Sequence, residues 1–161
     1  MCKPKVNITI TWKDAISVEK FKEDEQLSTN QKKIVQTEDV IYIFVGANKH
    51  GDKAADAGQT SRSLDVRTKE HIKDKDYLEK FPKDQLVYCG EVKCARTIDR
   101  DLLEQIEGAV IHALKDARGF DLCNKEKLID YKKPYKIEYI SNEHLTGDLL
   151  TLLKATIYPE N

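Results

Sequence analysis

Tyr42, Arg67, His71, Glu107 and Asn124 are the residues of this chain whose types and spacing can do chemistry. Arg67 carries a planar fork of donors suited to phosphate oxygens. His71 lies four residues further on, one helical turn away, and can take or give a proton near neutral pH. Glu107 offers hard carboxylate oxygens of the kind that hold Mg²⁺ or Mn²⁺. Tyr42 offers a hydroxyl that ionises only near pH 10, roughly, when nothing perturbs it. Each also has a plain structural role open to it. Tyr42 can be a packed aromatic, Arg67 a surface charge and His71 a satisfied ring. Glu107 can be a carboxylate at the core edge paired with a lysine, and Asn124 the cap of the segment that follows. Glu104 falls farther round the same helix and reads as solvating.

The elements that must position these groups follow from hydrophobic period and punctuation. Residues 6–12 alternate as a strand, and 39–46 form the strongest strand signal, β-branched, aromatic and ending at Gly46. Its nearly continuous apolar run predicts a central strand with both faces covered. Between them, the charged stretch 13–36 holds a short helical stripe at Val18 and Phe21, and Ser28-Thr29-Asn30 reads as a turn or cap. Residues 47–55 read as a hairpin loop leading to a short strand over 54–58, although Ala54-Ala55-Asp56-Ala57-Gly58 has poor strand propensity. A helix is expected over 63–80, capped by Ser63 and ended by Phe81-Pro82, with Leu64, Arg67, His71 and Leu78 in one sector. A strand over 86–94, interrupted at Gly90, precedes a second helix over 98–117 capped by Thr97. Leu102, Leu103, Ile106, Val110 and Leu114 are its core stripe, with Glu107 at the edge. A strand near 135–140 and a helix over 143–154 complete an α/β chain with a small mixed or antiparallel central sheet flanked by helices.

In chain order, Val40-Ile41-Tyr42, Gly58-Gln59-Thr60, Ser63-Leu64, Arg67, His71, Glu107 and Asn124 resemble the motif series of the GIY-YIG endonuclease family. The first tripeptide keeps its tyrosine as Tyr42. The second falls on Asp56-Ala57-Gly58 and keeps only the glycine. Arg67 matches the family's helix arginine, His71 its histidine or second tyrosine position, Glu107 its metal-binding glutamate and Asn124 the closing asparagine. The resemblance covers residues 40–124, about half the chain, and places a catalytic core at 39–124 within a single domain extended at both ends. It implies hydrolysis of DNA phosphodiester bonds around one Mg²⁺ (or Mn²⁺) ion held by Glu107, with Tyr42, Arg67 and His71 catalytic. Lys49, Lys53, Gln59, Thr60, Arg62, Lys69 and Asn124 would then contact the substrate, with Lys73 and Lys75 as further phosphate contacts. An ionised Asp56 cannot donate the hydrogen bond of the tyrosine it replaces. It can join the metal shell, orient Lys49 or Lys53, or mark a descendant that binds nucleic acid or a protein without cutting. Cleavage of both strands by one site would call for a homodimer or successive nicks.

Composition sets the outer limits. The 161 residues carry 27 Lys plus Arg against 28 Asp plus Glu, a formal net charge of −1. That balance excludes a protein that coats nucleic acid by bulk charge, while a local basic surface still suffices for a nuclease. Hydrophobic residues at 40% supply one proper core. No apolar run reaches membrane-spanning length, and the start lacks the apolar stretch of a secretory signal. Cysteines at 2, 89, 94 and 123 are irregularly spaced, which predicts free thiols and a cytoplasmic location rather than disulfides. Cys89 and Cys94 have no matching Cys or His pair downstream for zinc.

Overall fold

The computed structural model describes residues 2–74, 83–123 and 132–160. Strand β1 (Lys5–Trp12) is followed by β2 (Ile16–Ser17), two short 3₁₀ turns at Val18–Lys22 and Asp24–Gln26, and helix α1 (Thr29–Val35). The Ser28 hydroxyl accepts from the Gln31 amide while the Gln31 side chain accepts from the Ser28 amide, so this cap is a reciprocal box. Then come β3 (Val40–Ala47), β4 (Lys53–Thr60), α2 (Leu64–Lys73), β5 (Lys83–Lys93) and α3 (Arg100–Leu114). The chain ends with β6 (Asp121–Leu122), β7 (Lys136–Glu143), α4 (Leu149–Leu152) and β8 (Thr156–Ile157).

All the strands belong to one mixed sheet of order β6-β4-β3-β5-β1-β7-β8, with β2 paired to β5. The β3–β4, β3–β5 and β1–β5 pairs are antiparallel; β1–β7 and β4–β6 are parallel. The fold is α/β, a mixed central sheet flanked by helices. β3 runs between β4 and β5 with Val40 to Gly46 buried, the double coverage its apolar run predicts. The end segments are built into this sheet. β1 and β7 lie side by side in it, and Trp12 Nε1 donates to Asn142 Oδ1 at 3.0 Å, tying the first strand to the seventh.

Alternation along the strands sorts the apolar side chains into two cores. On one face, Val40, Tyr42 and Phe44 of β3 and Val87 and Cys89 of β5 pack with Phe21, Ile34, Val35 and Leu64, under α1 and α2. On the other, Ile41, Ile43, Ala55 and Ala57 pack with Leu102, Leu103, Ile106 and Val110 of α3. α2 and α3 thus cover opposite faces.

Several boundaries depart from the sequence expectation. β4 runs on through Gly58 to Thr60, because eight paired positions against β3 outweigh its weak propensity. β5 continues through Gly90, which pairs with Ile41 and Trp12. A side chain there would meet Ile10 Cγ2 at 2.6 Å and the Trp12 ring, so the glycine admits a tryptophan rather than breaking a strand. α2 ends at Lys73, with the Asp74 amide bonded to the His71 carbonyl; the Leu78, Lys75 and Phe81-Pro82 expectations lie outside the described residues. α3 is capped by Asp99, not Thr97, because the Asp99 carboxylate reaches the Leu102 amide at 2.7 Å and also accepts from the Tyr135 hydroxyl. It stops at Leu114. The expected helix over 143–154 shrinks to the four residues of α4. β7 holds the chain extended to Glu143, and His144 and Gly147 then take positive φ.

Thr68, fully buried on α2, has a hydroxyl without a hydrogen-bond partner among the described residues. Replacing it by the isosteric valine removes that desolvation cost. Thr68→Val is expected to raise unfolding stability by about 1 kcal/mol in urea titration, and a loss of stability would show that the hydroxyl is satisfied in solution.

Candidate functional site

Tyr42 is the hub. It stands in the middle of β3 on the α2 face, directly opposite Gly58 of β4. A methyl group at position 58 would overlap Tyr42 Oη, Cζ and Cε2, the last at 2.7 Å. The phenol ring therefore lies across the space that the glycine leaves open. Gly58 serves this close approach rather than a special φ, since it is not among the positive-φ glycines.

Two side chains one turn apart on α2 converge on the phenol. Arg67 Nε donates to Tyr42 Oη at 3.1 Å, and Oη lies 3.0 Å from His71 Nε2. With the imidazole neutral and its proton on Nδ1, Tyr42 donates to Nε2 in turn. The His71 ring stands edge-on to Tyr42 and Phe44, with centroids 5.8 and 5.4 Å away. The i, i+4 spacing seen in the sequence thus brings both groups to one hydroxyl.

Arg67 also reaches outward. Its Nη1 bonds Glu70 Oε2 at 3.0 Å, and the other Glu70 oxygen pairs with Arg62 Nη2 at 2.6 Å. These hydrogen bonds, Arg67 first and then Arg62, hold the Glu70 carboxyl below its usual range. Glu70 is the member of the site that sequence reasoning misses. Its signal was available, an acidic residue three positions after an arginine on a helix.

The electrostatics of Tyr42 are set by competing causes. Burial dominates and pushes the phenol up to about 12; Arg67 pulls the other way through charge and hydrogen bond, and the carboxylates of Asp56 and Glu107 add repulsion that raises it further. Tyr42 is therefore a neutral hydrogen-bonding group at pH 7. The same balance locates the carboxylates. Asp56 pairs with Phe44 on β4, two positions from Gly58 and on the Tyr42 face, and is buried. Glu107 is buried on α3, in the layer opposite Arg67. Arg67 and Glu107 do not share a face, which departs from the expected meeting of Tyr42, Arg67 and Glu107 around one phosphate; the Glu107 charge reaches Tyr42 only as a small contribution that raises its pKa. Among the described residues, β6 pairs with β4 at Ala54 and Ala55.

The other expected contacts disperse. Lys49 is exposed in the β3–β4 turn, seven residues and so roughly 20 Å along the strand from Tyr42. Lys53 turns to the α3 side, where it pairs with Asp148 at 3.4 Å and lies over the Phe120 ring, so it does not orient toward Asp56. Gln59 pairs with Ile41 and shares the α3 face. Thr60 is buried and its hydroxyl accepts from the Arg62 amide at 3.1 Å, which leaves it shaping the turn into α2. Lys69 pairs with Asp65 at 3.1 Å, one turn back on the helix. Lys73 is exposed at the helix end, and Asn124 lies outside the described residues. The cysteines at 2, 89, 94 and 123 are all free thiols.

Among the described residues, no three His, Cys, Asp or Glu side chains converge as a metal-ligand set, and no helix is long and apolar enough to cross a membrane. Two buried carboxylates, Asp56 and Glu107, lie on opposite faces of the sheet, and the charge of each raises the Tyr42 phenol. No family model, curated protein or solved structure matches the chain.

Proposed function

We propose that this protein is a metal-dependent DNA endonuclease of the GIY-YIG type. The observation that carries the proposal is the hydroxyl of Tyr42 held between Arg67 Nε and His71 Nε2. Supporting it, three residues that match one family's motif order, Tyr42, Arg67 and His71, meet at a single phenol. The donor chemistry suits one Mg²⁺ or Mn²⁺ that keeps most of its waters, because such ions are held through one or two carboxylates plus substrate phosphate. Glu107 would hold it, as the residue that matches the family's metal-binding glutamate. When bound, the ion supplies positive charge to the transition state.

The protein's own groups divide the remaining work. Arg67 spends Nε on Tyr42 and Nη1 on Glu70, which leaves Nη2 to meet a phosphate oxygen. Tyr42 stays protonated at neutral pH, can accept a hydrogen bond from the attacking water through its remaining lone pair, and is itself steadied by Arg67. His71, in contact with that hydroxyl, is placed to take the phenol's proton as Tyr42 gives it up. Lys73 and Arg62, both exposed on the α2 side, position the sugar-phosphate backbone without reading bases.

One specific observation favours a second reading, a domain that binds nucleic acid or a protein without cutting. Asp56 stands where the family has a tyrosine, and its charge raises the Tyr42 pKa, the direction opposite to activation.

Plasmid cleavage separates the two. Wild type is expected to nick DNA only with added Mg²⁺ or Mn²⁺. Glu107→Ala and Arg67→Ala should each lower the rate by about 10²-fold or more, as loss of a transition-state contact does. DNA binding without cutting in any metal would establish the binding domain instead, and absence of both would remove the nuclease proposal.

A further inference from the structure

Arg62, Arg67 and Glu70 form a three-residue ionic bridge whose geometry is that of an occupied anion site. One Glu70 oxygen accepts from Arg62 at 2.6 Å and the other from Arg67 at 3.0 Å. The carboxylate therefore presents two oxygens to two guanidinium groups, as a phosphodiester's two non-bridging oxygens would. The bridge is open to solvent, with side-chain exposures of 58% for Arg62, 34% for Arg67 and 40% for Glu70. Arg67 is also fixed from behind by Tyr42 Oη, so its fork keeps its orientation when the front partner is exchanged. Exposed ion pairs are weak, so a competing anion can displace the glutamate.

We propose that Arg62 and Arg67 make a two-arginine subsite for one backbone phosphate, and that Glu70 is its resident competitor, holding both guanidinium groups in place until a phosphate displaces it. The ligand class is a phosphodiester. This rests on the endonuclease proposal only for the identity of the polymer, since the anion subsite stands or falls on its own residues. Glu70 acts through the arginines and is a positioning residue.

Two elements set the reach of the subsite. Arg62 lies in the turn between β4 and α2, and Arg67 lies one turn into α2, so the subsite straddles the junction of these two elements. A phosphate there sits one side chain away from the Tyr42 hydroxyl, through Arg67. Glu70 thus sets the threshold at which backbone phosphate engages: it subtracts a constant cost from every binding event and repels anions too weak to meet both arginines. The depressed titration of the Glu70 carboxyl is consistent with both guanidinium groups being committed to it in the free protein.

The test uses the full chain with inorganic phosphate by calorimetry and a short double-stranded DNA by fluorescence anisotropy, without added metal and at low salt. Glu70→Gln keeps the shape and removes the charge. It is expected to tighten both interactions by about 2- to 30-fold, the range that two exposed ion pairs are worth. Arg62→Ala should weaken both, and should lower the slope of log affinity against log salt for DNA by about one phosphate contact. Glu19→Gln removes the same charge from an exposed pair with Lys22 elsewhere, and should leave both affinities unchanged. Unchanged or weaker binding by Glu70→Gln, or an equal gain from Glu19→Gln, overturns the subsite, as does failure of wild type and Glu70→Gln alike to bind phosphate. Tighter phosphate binding by Glu70→Gln in a protein that never cuts DNA keeps the subsite and discards the nuclease. Cutting that depends on Glu107 and Arg67 but ignores Glu70 does the reverse.

Discussion

Gly58→Ala is expected to destabilise the protein by about 1–3 kcal/mol, the usual cost of forcing atoms into a filled space. It should also break the contacts of Tyr42 with Arg67 and His71. In an unobstructed strand the same change would help, because alanine loses less backbone freedom than glycine on folding. Here the added carbon falls on the hydroxyl end of the Tyr42 ring, whose other neighbours are Phe44 edge-on at 5.3 Å and the β3 backbone. The ring must swing away or β3 and β4 must part. Tyr42→Phe alone relieves little of the clash, since ring carbons as well as the oxygen lie in the way. Tyr42→Leu should relieve it, so Gly58→Ala and Tyr42→Leu combined should cost less than their sum, with a coupling of about 0.5–3 kcal/mol. Urea unfolding of the four species measures it. A Gly58→Ala protein within about 0.5 kcal/mol of wild type would mean that the ring does not lie over position 58.

Alkaline conditions are expected to unfold this protein from within. Tyr42 and Cys89 face each other across β3 and β5, both almost fully buried on the α2 face. Burial, the largest cause for each, raises the phenol from 10.0 to about 12 and the thiol from 9.0 to about 12. For an acid whose folded pKa is raised, the native state keeps a proton that the unfolded chain gives up. Its stabilising effect is complete below the unfolded pKa and is lost as pH rises through the folded one. The Cys89 contribution therefore fades from about pH 9 and that of Tyr42 from about pH 10, both ending near pH 12. Each tenfold change in an acidity constant is worth about 1.4 kcal/mol, so the two groups together approach the whole stability of an ordinary domain. Stability measured against pH should fall steeply between pH 9 and 12. Cys89→Ala should delay the onset of the fall from about pH 9 to about pH 10 and make it shallower above that, and Tyr42→Phe should keep the onset and make the fall shallower above about pH 10. A pH profile untouched by both substitutions would exclude these groups as the cause.

The alternation and the β-branched run of 40–46 are enough to place β3 at the centre of a sheet, because a strand apolar on both faces has nowhere else to go. The spacing of Arg67 and His71 likewise places both on one side of a helix. These are local properties, decided within a few residues of the side chains concerned. The course of β4 was not legible in the same way. Ala54 to Gly58 is a poor strand in isolation, and only the demand for small residues beneath Tyr42 and beside α3 explains it.

Tertiary structure alone decided which charges matter to one another. Lys53 and Lys69 looked available for phosphate and are committed to Asp148 and Asp65, while Arg62 found Glu70. Coulomb interactions depend on distance through space and on burial, and sequence separation reports neither. Residue types and helical period could therefore nominate Tyr42, Arg67, His71 and Glu107. Only the packing of α2 on β3 could bring Arg67 and His71 to the Tyr42 hydroxyl, and the same packing leaves Glu107 on α3, on the other face of the sheet.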